Sequence, residues 1–129
     1  MNLLLDTNTL VWALDERRIK SLGKQAQRII KNSDLVYFSS ISLAELQIKA
    51  TAGKFKNAPD VARALADGFL LMDFKAEHAQ VINKFPSLIR HDPFDRMLLA
   101  QAFSEQLVLL TSDVILLDLG LNYVLDARD

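Results

Sequence analysis

Cysteine is missing from this chain of 129 residues. Its absence removes disulfides, thiolate zinc centres and cysteine nucleophiles together. Histidine is nearly as scarce: His78 and His91 are the only two, too few for a histidine-rich metal site. Glycine occurs only at Gly23, Gly53, Gly68 and Gly120, and none of these opens a helix after a strand. GxGxxG, P-loop and GxSxG patterns are all lacking, which argues against dinucleotide binding and serine hydrolysis. No sign of charge dominates either. Fifteen Lys and Arg face sixteen Asp and Glu, for a net charge of −1, so there is no global basic field and a nucleic acid would have to be met by a local patch. No apolar run is long enough to span a bilayer, and "MNLLLDTNTLVWALDE" acquires acids too early for a signal peptide. These absences predict a cytoplasmic globular protein with no membrane partner.

What is present is half hydrophobic and about a quarter charged, enough for one domain over residues 1–129 with a real core. Short apolar runs at 2–6, 35–39, 69–74 and 107–113 read as strands, with a weaker fifth at 123–125. Helical patterns fall between them: through Leu10, Val11 and Leu14, then over 21–31, 42–53, 60–68, 76–84 and from Pro93 to about 105. Gly53 stops the third of these. Strands alternating with helices, without hairpin turns, predict a parallel sheet covered on both faces. No internal repeat, linker or low-complexity segment interrupts the pattern.

Acids collect where such a sheet places its ligands, beyond the carboxyl ends of the strands. The first strand ends in Asp6, the second runs through "SSIS" to Glu45, and the fourth ends in Asp113. In "RHDPFDRMLLAQAF" (90–103), Asp95 shares a helix face with Leu98, Leu99 and Ala102, while Gln101, Ser104 and Glu105 mark the wet side. Each acid taken singly also reads as a cap, worth about 1 kcal/mol. Ser42-x-x-Glu45 has the form of a capping box. Asp92-Pro93 reads as N-cap and N1 with Asp95 at N3, and Asp6 or Asn8, and Asp113, precede helical turns. Taken together they read differently. Two like charges about 4 Å apart repel by roughly 4 kcal/mol at an effective dielectric near 20, which caps cannot offset across several pairs. A divalent cation can. Hard oxygen donors without a histidine cluster suit Mg²⁺ or Mn²⁺ rather than zinc, and such ions serve phosphodiester hydrolysis. Asp73 and Glu77 follow the third strand but read as solvated or capping, and Asp118 and Asp126 lack a supporting context.

"LLLDTNTLVWAL", "SSISLAELQIKATAGKFK", "HDPFDRMLLAQA" and "LLTSD", in this order and spacing, resemble the PIN-domain ribonucleases and, more narrowly, VapC-type toxins of toxin–antitoxin pairs. The resemblance spans essentially the whole chain, and "DPFDR" followed by "LLAQA" is its most specific part. It implies a PIN-like three-layer α/β/α sandwich with four to five parallel strands. It also implies Mg²⁺- or Mn²⁺-dependent endonucleolytic cleavage of RNA leaving a 5′-phosphate, commonly in a homodimer inhibited by a cognate antitoxin. Carried over by motif, Asp6, Glu45, Asp95 and Asp113 are its four catalytic and metal-binding acids, with Asp92 supporting. Asn8 stands where related toxins often carry histidine, and "VILLDLGLNYVL" is less polar than is usual after the fourth acid.

For contact with RNA, Lys49, Lys54 and Lys56 follow the Glu45 helix, with Phe55 available to stack a base. The same lysines read equally as a helix end favoured by its dipole. Asn8 can donate to a phosphate, and Arg96 can meet a phosphate or pair with an acid, pairing being favoured. His91 reads as a surface residue. Trp12, with Val11 and Leu14, belongs either to the core or to a groove for an antitoxin segment. Three other functions compete. "LLLDTNT" also resembles the first motif of haloacid-dehalogenase-type phosphotransferases, but Asn8 replaces the second aspartate and Glu45 and "DPFDR" go unexplained. A response-regulator receiver needs a lysine where Ser112-Asp113 stand. An inactive PIN-like binding module would keep the sheet and lose the chemistry.

Overall fold

The structure is a computed structural model that describes residues 1–54 and 60–129. Its strands are β1 (Asn2–Leu5), β2 (Leu35–Ser39), β3 (Leu70–Met72), β4 (Val108–Thr111) and β5 (Val124–Asp126). They form one five-stranded sheet in the order β3-β2-β1-β4-β5, every neighbouring pair parallel. The helices are α1 (Thr7–Leu14), α2 (Lys24–Asn32), α3 (Ser40–Thr51), α4 (Val61–Ala66), α5 (Ala76–Ala79), α6 (Pro93–Glu105) and α7 (Val114–Leu117).

Successive residues of a strand point to opposite faces, so continuous apolar strands supply two cores. Leu3 and Leu5 of β1 pack with Leu10 and Leu14 of α1, Ala26 of α2, Phe38 and Ala64. Leu4, between them, packs on the other face with Leu98, Leu99 and Ala102 of α6, Leu109 and Leu116. Each fully buried leucine contributes roughly 1.5–3 kcal/mol, and the two layers complete the α/β/α sandwich. Trp12 is partly buried against the first core. Among the described residues no helix is long and apolar enough to cross a membrane.

The third strand shortens from 69–74 to Leu70–Met72 and the helix over 60–68 to Val61–Ala66, and three further boundaries depart from the periodicity. The helix expected over 76–84 closes at Ala79 and gives way to single 3₁₀ turns at Ile82–Lys84 and Pro86–Leu88. There the hydrogen bonds shorten in sequence, Lys84 N–H donating to Val81 and Leu88 N–H to Phe85, and Pro86 has no N–H with which to continue a helix. The helix expected from residue 21 starts at Lys24, because Ile19–Ser21 is a 3₁₀ turn and Gly23 is the N-cap. A side chain at Gly23 would lie 1.8 Å from the carbonyl oxygen of Asp129, which accepts from Ala26 N–H at 2.9 Å. Third, α3 begins at Ser40, two residues ahead of the start expected at 42. The predicted loop after Gly53, beyond Lys54, lies outside the described residues.

Candidate metal centre

From β1 the chain winds towards β2 and β3 on one side, then returns to place β4 on the other. The carboxyl ends of β1 and β4 therefore flank the point where the strand order reverses, where open parallel sheets form their crevice. Asp6 and Asp113 stand at those two ends.

Asp6 is nearly inaccessible, at 3 % exposure. It caps α1, accepting from Thr9 N–H at 2.8 Å, and its other oxygen accepts from the Thr111 hydroxyl at 2.5 Å. Burial pushes its carboxyl above the ordinary range against those hydrogen bonds, and the charge of Glu45 adds to the rise. Thr111 also accepts from Asp113 N–H at 3.0 Å, so one hydroxyl joins the ends of both strands. Asp113 in turn caps α7, accepting from Leu116 N–H at 3.1 Å.

Asp92 caps α6, accepting from Phe94 N–H at 2.8 Å and Asp95 N–H at 3.4 Å. Pro93 is N1 and Asp95 is N3, as expected. Asp95 is pushed up to about 8, first by burial, then by its hydrogen bond with Asp113 and by the charges of Asp6, Asp113 and Asp92. Burial also raises Asp113, but the Leu116 N–H, the bond with Asp95 and the neighbouring His91 outweigh it and leave this carboxyl below the ordinary range. At neutral pH Asp95 thus keeps the proton and Asp113 the charge. The two carboxyls relieve like-charge repulsion by sharing one proton.

Glu45 overturns its reading as half of a capping box. The N-cap of α3 is Ser39, accepting from Ile41 N–H at 3.0 Å. Ser42 and Glu45 therefore lie inside the helix, both buried. Glu45 accepts from the Thr7 hydroxyl at 2.6 Å, and that hydroxyl lies 2.9 Å from Ser42 Oγ. Its second oxygen pairs with Lys49 Nζ at 2.6 Å.

The remaining expectations divide. Asn8, between Thr7 and Thr9 at this edge, is exposed, as is Lys54 beyond the end of α3, while Phe55 and Lys56 lie outside the described residues. Lys49 is engaged by Glu45. Arg96 has a buried Nε without a hydrogen-bond partner, and it makes no ion pair with an acid among the described residues, contrary to the favoured pairing. His91 is not a surface residue. Its side chain is 13 % exposed, with Nε2 3.1 Å from Asp113 Oδ2 and 3.4 Å from Asp95 Oδ2. Gln101 is fully buried rather than wet, because its amide reaches the carbonyls of Met72 and Asp73 at the end of β3. Asp73 and Glu77 are exposed, as expected. Sequence reasoning missed Thr7 and Thr111, whose signal was a hydroxyl next to, or two residues before, a strand-end acid.

The donor chemistry fits a divalent cation. The acids offer hard oxygens, and Asp95 retains a proton at neutral pH because it is buried and, after that, because acids surround it. His91, Asp95 and Asp113 each present a ligand atom within 4.8 Å of the other two.

Residues 3–120 match the family model described as PIN domain. No curated protein matches the chain by sequence. Among solved structures, the chain is similar to one in DNA-bound VapBC from Salmonella typhimurium, with a TM-score of 0.66 at 24 % identity over 98 % of both chains. VapBC2 from Rickettsia felis, bound to a fragment of promoter DNA, gives a TM-score of 0.65 at 22 % identity over 98 % of this chain and 97 % of that one. A toxin–antitoxin complex from Klebsiella pneumoniae gives 0.62 at 18 % identity over 95 % and 94 %. At these identities the likeness is one of fold.

Proposed function

Because the chain belongs to the PIN-domain family, we propose that it is a Mg²⁺- or Mn²⁺-dependent endoribonuclease, the VapC-type toxin of a toxin–antitoxin pair. The observation that carries this reading is the gathering of Asp6, Glu45, Asp95 and Asp113 at one sheet edge, where burial first and the neighbouring acids second make Asp95 keep its proton. Those four side chains would hold the cation, which when bound activates water and stabilises charge on the phosphate.

The rest of the work falls to the protein. Thr9 N–H and Thr111 Oγ1 fix the two oxygens of Asp6, and Thr7 Oγ1 fixes Glu45. Asp95 and Asp113, which share one proton, would both have to be ionised to hold the cation. Asn8, Lys49, Lys54, Lys56 and Arg96 are the proposed contacts to the RNA backbone. In this reading the protein acts in the cytoplasm as a homodimer restrained by its antitoxin. The fold likeness to chains of VapBC complexes supports that partner. The phosphotransferase alternative rests on "LLLDTNT" and on "DVILLD" (113–118), and it leaves Glu45 and "DPFDR" without a role.

The test incubates antitoxin-free protein with pooled cellular RNA in Mg²⁺, Mn²⁺ or EDTA, beside folded Asp6→Asn and Asp95→Asn variants. Discrete metal-dependent cuts, lost in both variants, are expected. A folded wild type that neither binds Mn²⁺ nor cuts RNA would leave an inactive binding module.

A further inference from the structure

The two histidines of this chain are held in opposite ways. His78 is fully buried and His91 partly so, and both meet carboxylates, His78 with Glu105 at 2.7 Å and His91 with Asp113 and Asp95. His78 Nδ1 accepts from the Lys75 backbone N–H at 2.9 Å. Its proton therefore sits on Nε2, pointing at Glu105, and neither nitrogen keeps a free lone pair. His78 is a strut between α5 and α6. For His91 no partner of Nδ1 exists among the described residues, and that atom is not sealed from solvent. Asp113 keeps its charge, so without a cation Nε2–H donates to that carboxylate at 3.1 Å. Because Nδ1 has no such tie, the proton can move there and free the Nε2 lone pair for a cation beside the Asp95 and Asp113 oxygens.

The spacing there is that of neighbouring ligands in a metal shell. Bonds of about 2.1 Å at right angles separate adjacent donor atoms by about 3.0 Å. Nε2 already stands 3.1 Å and 3.4 Å from the two oxygens. The backbone holds it there: His91 N–H donates to Leu88 at 2.9 Å, and the next residue, Asp92, is the cap of α6.

We infer that His91 Nε2 is a direct nitrogen ligand of the divalent cation, beside Asp95 and Asp113, and that it biases the centre towards Mn²⁺ over Mg²⁺. The inference rests on the metal-centre reading above and adds a donor to it. Imidazole nitrogen binds transition ions and is a poor ligand for Mg²⁺, which prefers oxygen. A site built of carboxylates alone has less ground for that preference.

The experiment loads the whole protein with Mn²⁺ and records pulsed EPR, with natural-abundance and with ¹⁵N-labelled histidine. Calorimetric titrations with Mn²⁺ and with Mg²⁺ run beside it, on wild type and His91→Gln. A nitrogen modulation that changes with the isotope and disappears in His91→Gln is expected, with the Mn²⁺-to-Mg²⁺ affinity ratio falling on the order of tenfold. If His91→Gln fails to fold, His91→Asn takes its place, and loss of the modulation there separates His91 from His78, which lies beside Glu77 and Glu105. Bound Mn²⁺ without nitrogen coupling would overturn the inference and leave the carboxylate centre standing. Absence of Mn²⁺ binding would overturn both.

Discussion

Replacing Thr111 by valine tests whether one hydroxyl sets the spacing of two acids on neighbouring strands. Valine has the same shape and suits a strand, so the change removes only the hydroxyl of a residue with no exposure. Two hydrogen bonds go with it, the 2.5 Å bond to Asp6 and the 3.0 Å bond from Asp113 N–H. A bond to a charged group is worth about 1.5–3 kcal/mol, and an N–H left short of a partner costs about 1 kcal/mol. The sum, about 3 kcal/mol, corresponds to a fall in Tm of about 10 °C for a chain of this size. The hydroxyl also favours the ionised form of Asp6, so its loss lets burial raise the carboxyl further and weakens cation binding, by about 10- to 100-fold for a supporting partner of a ligand. Thermal unfolding with and without Mn²⁺ reads both effects, since a bound ion raises Tm in proportion to the logarithm of its saturation. Thr111→Ser, which keeps the oxygen, should retain most of the Mn²⁺-induced shift. A Thr111→Val protein that melts within 2–3 °C of wild type (about 1 kcal/mol or less) and keeps the full Mn²⁺ shift would refute the clamp.

Without metal, stability should fall as pH rises from about 4 to 8. Above the ordinary value of 3.8 the unfolded chain releases the Asp95 proton, while the folded protein keeps it up to about 8. Urea unfolding in EDTA across this range measures the slope, and Mn²⁺ affinity should rise over the same interval; a flat profile in both would contradict the shared proton. Lys49→Met should raise Mn²⁺ affinity several-fold in calorimetry, because Nζ occupies Glu45 at 2.6 Å and competes with the ion; unchanged affinity would remove Glu45 from the ligand set. Gly23→Ala should destabilise by about 1–3 kcal/mol in chemical denaturation, since the new methyl meets the Asp129 backbone at 1.8 Å; native stability would show that the chain end moves freely off α2.

Strand-end acids were legible because a strand buried on both faces is written as an unbroken apolar run, and the polar residue that ends it stands out. Asp6 and Asp113 were visible for this reason, and Asp92-Pro93 named its own helix start. What local pattern could not carry was the choice among partners that lie far apart in sequence. Ser42-x-x-Glu45 satisfies the arithmetic of a capping box, yet Ser39 caps first and turns both residues inward towards Thr7. Gln101 sits on the polar side of its helix by count, but the carbonyls that end β3 give its amide a buried use. His91 looked like a surface residue because nothing in "RHDP" reveals that α7 brings Asp113 against it. The strand order is likewise absent from any local window, since β1 meets β4 only after the intervening elements have packed.

That order has a consequence in time. Asp6 directly follows β1 and Glu45 lies on the helix after β2, two strands that pair directly with each other. Asp95 and Asp113 arrive with the last third of the chain, and the bond that ties Thr111 to Asp6 spans 105 residues. At translation speeds of about 5–20 residues per second, several seconds separate the second acid from the fourth. Until β4 inserts beside β1, a nascent chain lacks Asp113 and the Thr111 hydroxyl that holds Asp6, so the four acids of the proposed centre are not yet assembled.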